Sequence, residues 1–310
     1  MKKLLLGVFG FFLILVGIAG ILLPVIPGWF FIFLGLSFIA PAFAARLKRR
    51  VLRRFSKQGV VYLEEWKKLK THAGFTTRHL PLSLQNTEDF SHSSNQELFK
   101  TLFSVNRILL SHGMKPASQF AYLNQVHGDQ IVILEDKQTF SQGEFAYFPK
   151  ADGVLTNLKE ATLLVLTADC LPVFFSAGKN EDHWIGLVHA GWRGTQKEIV
   201  RKAFQMIRER SKSGASDVHV IFGPRIGKDR YEVGEEFVKY FGSTGSLHRK
   251  NNKLYFDLAG ENRRQLLQAG ARAAHILDLE ICTISENVDF YSFRKEKESA
   301  GRIVSFISKF

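Results

Sequence analysis

The feature that most constrains this chain is an uncharged, apolar run over residues 4–45. A helix needs about 20 apolar residues to cross a bilayer. The run is broken near its middle by two prolines and a glycine within Pro24–Gly28. Leu4–Leu23 supplies a first span, and Trp29–Ala45 supplies a shorter second one. The sequence therefore predicts a two-helix transmembrane hairpin over residues 1–45, with the lipid bilayer as its partner.

Basic residues flank the apolar run on both sides. Lys2 and Lys3 precede it, and residues 46–71 form a basic segment that we predict to be a juxtamembrane linker. Because Lys and Arg concentrate on the cytoplasmic side of membrane spans, both ends of the hairpin are predicted to lie in the cytoplasm. A cleaved signal peptide is the alternative, but its apolar core has only about 7–15 residues. We therefore expect a membrane-anchored protein whose main domain, residues 72–310, is on the cytoplasmic side.

The charge of the chain is concentrated near this membrane segment. Of the net charge of +13, residues 1–70 contribute +10, from twelve Lys and Arg against two Glu, which leaves +3 for the remainder. The larger domain lacks zinc-finger spacing and basic-aromatic alternation, so it is predicted not to bind nucleic acid. Its two cysteines, Cys170 and Cys282, form no CxxC pair, which is typical of a reducing compartment.

Beyond residue 72, short apolar segments alternate with amphipathic ones. The predicted strands are Gln130–Leu134, Leu163–Thr167, Trp184–Val188, Val218–Phe222 and Ile281–Ser285. The predicted helices are Thr195–Glu209, Gly234–Phe241 and Leu258–Ala274, the last with Asp257 as its N-cap. This alternation predicts an α/β domain, a layered sandwich of mixed sheet and helices, preceded by the two-helix transmembrane hairpin.

Three side chains capable of binding a metal lie beside predicted strands. His127 precedes the strand that begins at Gln130. Cys170, with Asp169, follows a buried strand, and His189 ends another. Side chains at the same ends of neighbouring strands converge in open α/β sheets. Because two imidazoles and a thiolate suit zinc better than copper, and three protein ligands leave a fourth position open, the pattern predicts a catalytic Zn²⁺ site.

The same three residues also suit roles without a catalytic zinc ion. A single histidine near a strand end is often a packing or capping residue, and a buried cysteine often packs as a small apolar side chain. Cys170 and His189 also suit a cysteine hydrolase, with the thiolate as nucleophile and the imidazole as base. A copper-dependent polyphenol oxidase is a further alternative, although the ten histidines include no H-x-H pair. The last alternative is a membrane-bound scaffold that keeps the enzyme fold for binding a partner, and such a protein would show no turnover.

A series of short motifs is more specific. NQVHG, ADGVLT, TADCLPV, HAGWRG, GPRIG, YEVG and CT…YSFRKE…GR occur in that order between residues 124 and 302. The series resembles the bacterial purine nucleoside phosphorylase and adenosine deaminase family, formerly labelled multicopper polyphenol oxidase or laccase domain. Separately, PVIPGW at residues 24–29 resembles the small membrane proteins named for a Pro-Gly-Pro-Gly-Trp motif.

The first resemblance implies both a ligand set and an activity. The zinc ligands of the family fall on His127, Cys170 and His189, the same set that ligand chemistry indicates. The implied reactions are phosphorolysis of adenosine, inosine, guanosine or methylthioadenosine, and deamination of adenosine. Zinc lowers the pKa of a water molecule toward neutrality, which suits attack on C6 of adenine. Purine nucleosides and phosphate are therefore the expected partners.

Further candidates surround this ligand set. Asp169, next to Cys170, is a candidate to carry a proton in the reaction. Cys170 and Asp169 are the predicted catalytic residues. Arg193 is a candidate phosphate ligand because its glycine-rich turn leads into a predicted helix. Arg294 and Arg302 are further candidates for binding substrate or phosphate.

Three more positions bear on the nucleoside pocket. Trp192 could stack on a purine or simply cover the core. Arg225 stands where the family usually has cysteine, and His79 and Leu80 stand where it has two glycines after an arginine. The sequence leaves the preferred nucleoside and the oligomeric state open.

Overall fold

The computed structural model of this chain describes residues 59–63, 66, 69–80, 119–135, 145–148, 150–159, 161–214 and 217–309, together with Phe11. Apart from Phe11, the described residues fall in one unit that begins at Gly59. Apart from Phe11, the hairpin predicted over residues 1–45 and the first part of the predicted linker lie outside the described residues. In the described part of the chain, no helix combines the length and the apolar character needed to cross a membrane.

The first sheet joins the two ends of this unit. Its strands are β1 (Val60–Tyr62), β2 (Thr71–Thr76), β3 (Gln119–Leu123), β5 (Phe145–Phe148), β7 (Ala161–Thr167) and β15 (Ile303–Lys309). They are ordered β1-β2-β15-β7-β3-β5, so the last strand of the chain lies between two early ones. β15 is antiparallel to both of its neighbours, whereas β3 is parallel to β7 and β5. Because β1 lies within residues 46–71, this sheet starts inside the predicted linker.

The second sheet carries the candidate site. Its strands are β4 (Ile131–Leu134), β6 (Gly153–Thr156), β8 (Leu171–Ala177), β9 (Trp184–Ala190), β10 (His219–Phe222) and β14 (Ile276–Asp278). Their order is β14-β10-β8-β9-β6-β4, with parallel and antiparallel pairs. Every residue of β8 and β9 is buried. Burial on both faces explains why these strands read as continuous apolar runs rather than as an alternating pattern.

A small third sheet and the helices complete the described part. The third sheet contains β11 (Glu232–Val233), β12 (Leu247–Lys250) and β13 (Lys253–Phe256). The α-helices are α1 (Trp192–Gln196), α2 (Ile199–Arg210), α3 (Glu236–Phe241), α4 (Leu258–Gln268) and α5 (Phe293–Glu296). Short 3₁₀ helices cover Asn180–Asp182, Ala273–His275 and Lys297–Ser299.

The sheets and helices form layers around β9. This strand contacts β7 and β15 of the first sheet and also contacts α2. The apolar side of α2 is fully buried and repeats with helical spacing, through Ile199, Val200, Ala203, Phe204 and Ile207. The prediction of a mixed-sheet α/β sandwich is therefore confirmed for the described residues.

Four of the five predicted strands are confirmed, and one is wrong. The predictions near residues 130, 163, 184 and 218 correspond to β4, β7, β9 and β10. At Ile281–Ser285 the structure has only an isolated bridge between Arg225 and Cys282, followed by turns. The Glu286 amide donates to the Cys282 carbonyl at 2.8 Å, which turns the chain there. The strand next to β10 is β14, a few residues earlier.

The predicted helices are confirmed in position but not always in extent. The helix predicted from Thr195 to Glu209 is divided into α1 and α2, because Glu198 adopts a left-handed conformation with φ 59°. The helix from Leu258 ends at Gln268 instead of Ala274, and Gly270, with φ 93°, follows its end. Asp257 is the N-cap of α4, as predicted, and accepts from the Gly260 amide at 2.8 Å.

Candidate metal site

One end of the second sheet brings the predicted metal-binding residues together. His189 lies near the end of β9, and Cys170 directly precedes β8. Because β8 and β9 are antiparallel, with Pro172 opposite His189, the start of one strand meets the end of the other. The site therefore uses both starts and ends of strands, whereas an all-parallel sheet would offer only carboxyl ends.

His127 reaches this sheet end from the loop before β4. Its backbone is left-handed, with φ 57°. The fully buried carboxylate of Asp152 accepts from the amides of Val126 (3.2 Å), His127 (2.9 Å) and Gly128 (2.7 Å). Three backbone bonds to one carboxylate fix the loop in a conformation that side-chain sterics alone disfavour.

Asp152 also orients His189. The Nδ1 atom of His189 lies 2.7 Å from Oδ1 of Asp152, and both side chains are almost completely buried. A carboxylate at this distance favours the tautomer with the proton on Nδ1, which leaves Nε2 as the metal-binding atom. Sequence reasoning assigned no role to Asp152. The available signal was its position in ADGVLT, as a charged residue between alanine and the wholly buried strand β6.

The three candidate ligands form one cluster. One ligand atom each from His127, Cys170 and His189 lies within 4.8 Å of the others, and the two imidazole rings meet edge to face at 4.8 Å. Tetrahedral zinc holds its nitrogen and sulfur ligands about 3.3–3.6 Å apart. Small side-chain rotations would close the difference. The donor set and its spacing therefore fit a zinc ion, with His127 exposed and His189 at the buried side.

The cluster favours the charged form of the thiol. Burial raises the pKa of Cys170, but the charge of His189 and a hydrogen bond with His127 outweigh this and lower the pKa to about 6. Burial lowers the pKa of His189, whereas the Cys170 thiolate and the Asp152 carboxylate raise it, to about 9. Burial raises the pKa of Asp152, but the hydrogen bonds from His189 and from the backbone amides outweigh burial, so the pKa lies below its ordinary value. Cys170 is thus prepared as a thiolate, the form that binds metals and attacks electrophiles.

Two glycines of the HAGWRG motif allow its backbone to pack closely against the candidate ligands and their loop. A Cβ atom on Gly191 would lie 3.0 Å from Cδ2 of His127 and 3.1 Å from Sγ of Cys170. A Cβ atom on Gly194 would lie 2.7 Å from the carbonyl oxygen of Gly128. The motif therefore contains glycine where α1 packs against the ligand loop.

Asp169 is beside Cys170 but its carboxylate is already engaged. Oδ1 accepts from the hydroxyl of Thr283 and Oδ2 accepts from the amide of Arg294, each at 2.6 Å. Asp169 has φ 98°, and its carbonyl accepts from the Ile226 amide at 2.9 Å. The structure thus places this predicted catalytic residue as a link between the Cys170 segment and the start of α5.

Two of the three candidate arginines stand near a tyrosine beside the cluster. The Arg294 guanidinium lies 5.3 Å from the ring centre of Tyr231. Burial raises the pKa of Tyr231, as do the negative charges of Cys170 and Asp169, whereas the cationic Arg294 and Arg193 lower it. Tyr231 also packs against Phe237, the same ring that contacts Trp192, with ring centres 6.3 Å apart. Tyr231 belongs to the YEVG motif, yet sequence reasoning gave it no role.

The aromatic ring of Trp192 is used within the protein. Arg193 lies over it at 4.5 Å, and Phe237 packs against it with ring centres 5.0 Å apart. This arrangement favours the core-covering role over purine stacking.

The remaining candidate, Arg302, lies at the neighbouring end of the first sheet. It precedes Ile303, which pairs with Thr167 at the end of β7, just before the Cys170 segment. Its Nη1 donates to the carbonyls of Ala300 (2.8 Å) and Gly301 (3.3 Å), so part of the guanidinium stabilises a turn.

The two departures from the family pattern have structural partners. Arg225 is buried and its Nη2 donates to Asp278 at 2.6 Å, which ties the chain after β10 to the end of β14. His79 Nε2 lies 2.8 Å from Asp289. Neither contact involves the three candidate ligands.

Family models match both parts of the chain. Residues 72–309 match the family described as multi-copper polyphenol oxidoreductase laccase, and residues 3–54 match the putative transmembrane protein family PGPGW. Both resemblances read from the motifs are therefore confirmed.

Similar characterised proteins are named purine nucleoside phosphorylase, which differs from the family's description. A purine nucleoside phosphorylase of Aquifex aeolicus is 34% identical over 186 residues, which is 60% of this chain and 81% of the relative. The purine nucleoside phosphorylase YlmD of Bacillus subtilis is 28% identical over 249 residues, which is 76% of this chain and 87% of the relative.

Solved structures share the fold. The hypothetical protein YfiH of Bacillus licheniformis has a TM-score of 0.69 at 24% identity, covering 81% of this chain and 97% of that protein. YlmD of Geobacillus stearothermophilus has a TM-score of 0.65 at 27% identity, covering 77% and 92%. Because the family model spans the whole region that carries the His and Cys cluster and its supporting motifs, this chain belongs to the multi-copper polyphenol oxidoreductase laccase family.

Proposed function

We propose that this chain is a zinc-dependent purine nucleoside enzyme tethered to the bacterial inner membrane. Its reactions would be phosphorolysis of adenosine, inosine, guanosine or methylthioadenosine, and deamination of adenosine. The observation that carries the proposal is the convergence of His127, Cys170 and His189, with Asp152 fixing the Nδ1 side of His189. The relatives named purine nucleoside phosphorylase support the substrate class.

The ligand set supports a catalytic metal more than a structural one. Structural zinc is usually enclosed by four protein ligands, whereas catalytic zinc keeps one position open. Here three ligands converge and His127 is solvent-exposed, so a fourth position can face substrate. Bound zinc supplies Lewis acidity, which polarises an oxygen and lowers the pKa of water.

The chain's own residues would divide the remaining work. Asp152 holds the ligand histidine and its loop in place through buried bonds. Arg193 and Arg294 are exposed cations that can attract phosphate to the cluster. Asp169 holds the backbone of Arg294, and the proton-carrying role predicted for Asp169 stays a prediction. With only five residues, α1 is too short to contribute a strong helix dipole, so the proposal relies on the arginine side chains.

The activity is tested on the full chain purified in detergent. Bound metal is measured by elemental analysis, and products from adenosine, inosine, guanosine and methylthioadenosine are separated with and without phosphate. We expect about one zinc per chain, phosphate-dependent release of free base, and phosphate-independent conversion of adenosine to inosine. A zinc-loaded protein that converts none of the four nucleosides would refute the proposal.

A cysteine hydrolase remains the second candidate, because the Cys170 and His189 pKa shifts also suit a nucleophile and its base. Chelation separates the two functions. A metal enzyme should lose activity on chelation and expose Cys170 to iodoacetamide at the same time. A cysteine hydrolase should keep its activity in chelator and be inactivated by alkylation without it.

A copper-dependent oxidase is the other alternative, and the same elemental analysis would then find copper in place of zinc. The cluster contains two histidines and one cysteine, and the ten histidines of the chain include no H-x-H pair. Copper supplied in place of zinc should therefore not produce oxidation of a polyphenol substrate. Oxidation that depends on copper would favour the oxidase named in the family description.

The membrane tether is proposed from sequence and from the match at residues 3–54. Reporter fusions after Lys3 and at Phe310 should both give cytoplasmic signals, since basic residues flank the apolar run on both sides. Activity of a periplasmic phosphatase fused at Phe310 would replace the hairpin by a single span or a cleaved signal peptide.

A further inference from the structure

The surface beside the metal cluster contains a group of donors that the roles above leave partly unused. Tyr231 is half-buried, and its ring packs against Phe237 and Phe256 at centroid distances of 6.3 and 5.8 Å. These contacts fix the ring, and its backbone is fixed by bonds at both ends: its amide donates to Gly227 and its carbonyl accepts from the Phe256 amide. The direction of the phenol is therefore set by the protein and not by a ligand.

The hydroxyl of Tyr231 is available to a ligand. Across the residues that the structure describes, no side chain or backbone group forms a hydrogen bond with it, and it is not among the fully buried polar atoms. A phenol in a partly enclosed site normally finds a partner. Water or substrate must supply that partner here.

Two cations without acidic partners in the described part of the chain stack on neighbouring rings, because Tyr231 and Trp192 both pack against Phe237, with ring centres 6.3 and 5.0 Å apart. Arg294 covers the face of the Tyr231 ring at 5.3 Å, and Arg193 covers the face of Trp192 at 4.5 Å. Stacking on aromatic rings holds each guanidinium while leaving its N–H edges free. The carboxylate near them, Asp169, already accepts two hydrogen bonds, from Thr283 and from the Arg294 amide.

We infer that Tyr231, Arg193 and Arg294 form the subsite for inorganic phosphate, with the Tyr231 hydroxyl as a donor to a phosphate oxygen. The inference rests on the proposed phosphorolysis and assigns its cosubstrate to particular atoms. Two guanidinium groups neutralise most of the charge of the anion, and the phenol adds one directed bond. The negative charges of Cys170 and Asp169 are offset on this side by the arginines and by the metal that the cluster would hold.

The test compares Tyr231→Phe with Tyr255→Phe in the full chain purified in detergent. Tyr255 is the matched control, a half-buried tyrosine of β13 that stacks on His248 with ring centres 5.6 Å apart. Phosphate affinity is measured by calorimetry with inorganic phosphate, alongside zinc content, inosine affinity and phosphate-independent deamination. We expect Tyr231→Phe to weaken phosphate binding by about tenfold or more, because a hydrogen bond to a charged group is lost. Zinc content, inosine affinity and deamination should change little, and Tyr255→Phe should match the wild type.

The outcomes separate this inference from the proposed function. Unchanged phosphate affinity in Tyr231→Phe, or an equal loss of inosine affinity, would overturn the subsite assignment while leaving phosphorolysis intact. A wild-type chain that binds phosphate through Tyr231 but converts no nucleoside would support the subsite and refute the function. Displacement of phosphate by adenosine 5′-monophosphate, but not by adenosine, would assign the subsite to a nucleotide phosphate and overturn the assignment to inorganic phosphate.

Discussion

Asp152, which binds His189, and Asp169, which precedes Cys170, both lie beside the metal cluster and are held in different ways. Asp152 is fully buried and faces three backbone amides and the Nδ1 atom of His189. Asp169 faces one backbone amide and the hydroxyl of Thr283. A hydroxyl can reverse its hydrogen bond, but a backbone amide cannot. The metal side, which is Asp152 with His127 and His189, therefore has one possible hydrogen-bond arrangement. The substrate side, which is Asp169 with Thr283 and Arg294, allows more than one.

This contrast suits the two tasks of the site. A metal ligand must keep its geometry within a few tenths of an ångström, so burial and multiple bonds are useful there. Phosphate and nucleoside must enter and leave, so exposed arginines stacked on aromatic rings are better suited to the other side. If the two sides differ in this way, substitutions should perturb metal binding and phosphate binding separately.

The largest effect is expected on the metal side, from His189→Ala. Of the three ligands found in the described part of the chain, two would remain, and bound zinc should fall from about one per chain to nearly none. His248→Ala is the control, because His248 is a half-exposed residue of β12 near Asp229. Elemental analysis of the purified variants measures the effect. Full zinc occupancy in His189→Ala would remove the basis for the site.

Asp152→Asn should be the next most damaging change. The NH₂ group of asparagine would face backbone N–H groups, which can only donate, so at least one hydrogen bond is lost and the loop shifts. We therefore expect zinc affinity to fall about 10–100-fold. The free energy of unfolding should fall by about 1–3 kcal/mol. Asp129→Asn is the matched control near the same loop, where a partly exposed carboxylate pairs with Lys202 and a loss of at most about 1 kcal/mol is expected.

The stability effect of Asp152 should depend on pH. The folded protein lowers the pKa of Asp152 below its ordinary value of 3.8. Its carboxylate therefore contributes stability above that value, and the contribution is lost as pH falls through the lower folded pKa. Denaturant unfolding should show the wild type and Asp152→Asn converging in acid. A constant difference down to about pH 2 would contradict the linkage.

Gly191→Ala tests the packing between the two sides. Its Cβ atom would press on His127 and on Cys170 at about 3 Å, and should separate the ligands by a few tenths of an ångström. We expect weaker zinc binding, by about tenfold, with little change in unfolding. Gly245→Ala is the control, because that glycine has φ 75° but no neighbour within 4 Å of a Cβ. Equal zinc loss in both variants would indicate general destabilisation.

The smallest effect is expected on the substrate side, from Asp169→Asn. The asparagine oxygen can accept from the Arg294 amide while its amide donates to a reversed Thr283 hydroxyl. Zinc content should stay at the wild-type level, and KM for phosphate should rise only a few-fold, by loss of one charge-assisted bond. Kinetics at several phosphate concentrations measure this. A loss of zinc, or a loss of kcat as large as that of a ligand variant, would give Asp169 a more direct role.

Parts of the fold and the site could be predicted from single segments. The strands β7 and β9 were predictable because burial on both faces gives unbroken apolar runs. The N-cap at Asp257 follows from local chemistry. The strand wrongly predicted at Ile281–Ser285 shows the limit of such reasoning. Its apolar residues suit a strand, but Thr283 is drawn to Asp169, more than one hundred residues away in sequence.

The sequence by itself determined the ligand types and their neighbouring glycines, since His127, Cys170 and His189 occur in motifs with recognisable chemistry. Only the tertiary structure decided which groups support them. Asp152 orients His189 across 37 positions, and Arg294 stacks on Tyr231 from 63 positions away. The reason is physical: a ligand type is a property of one side chain, whereas orientation and burial depend on residues that only the folded sheets bring together.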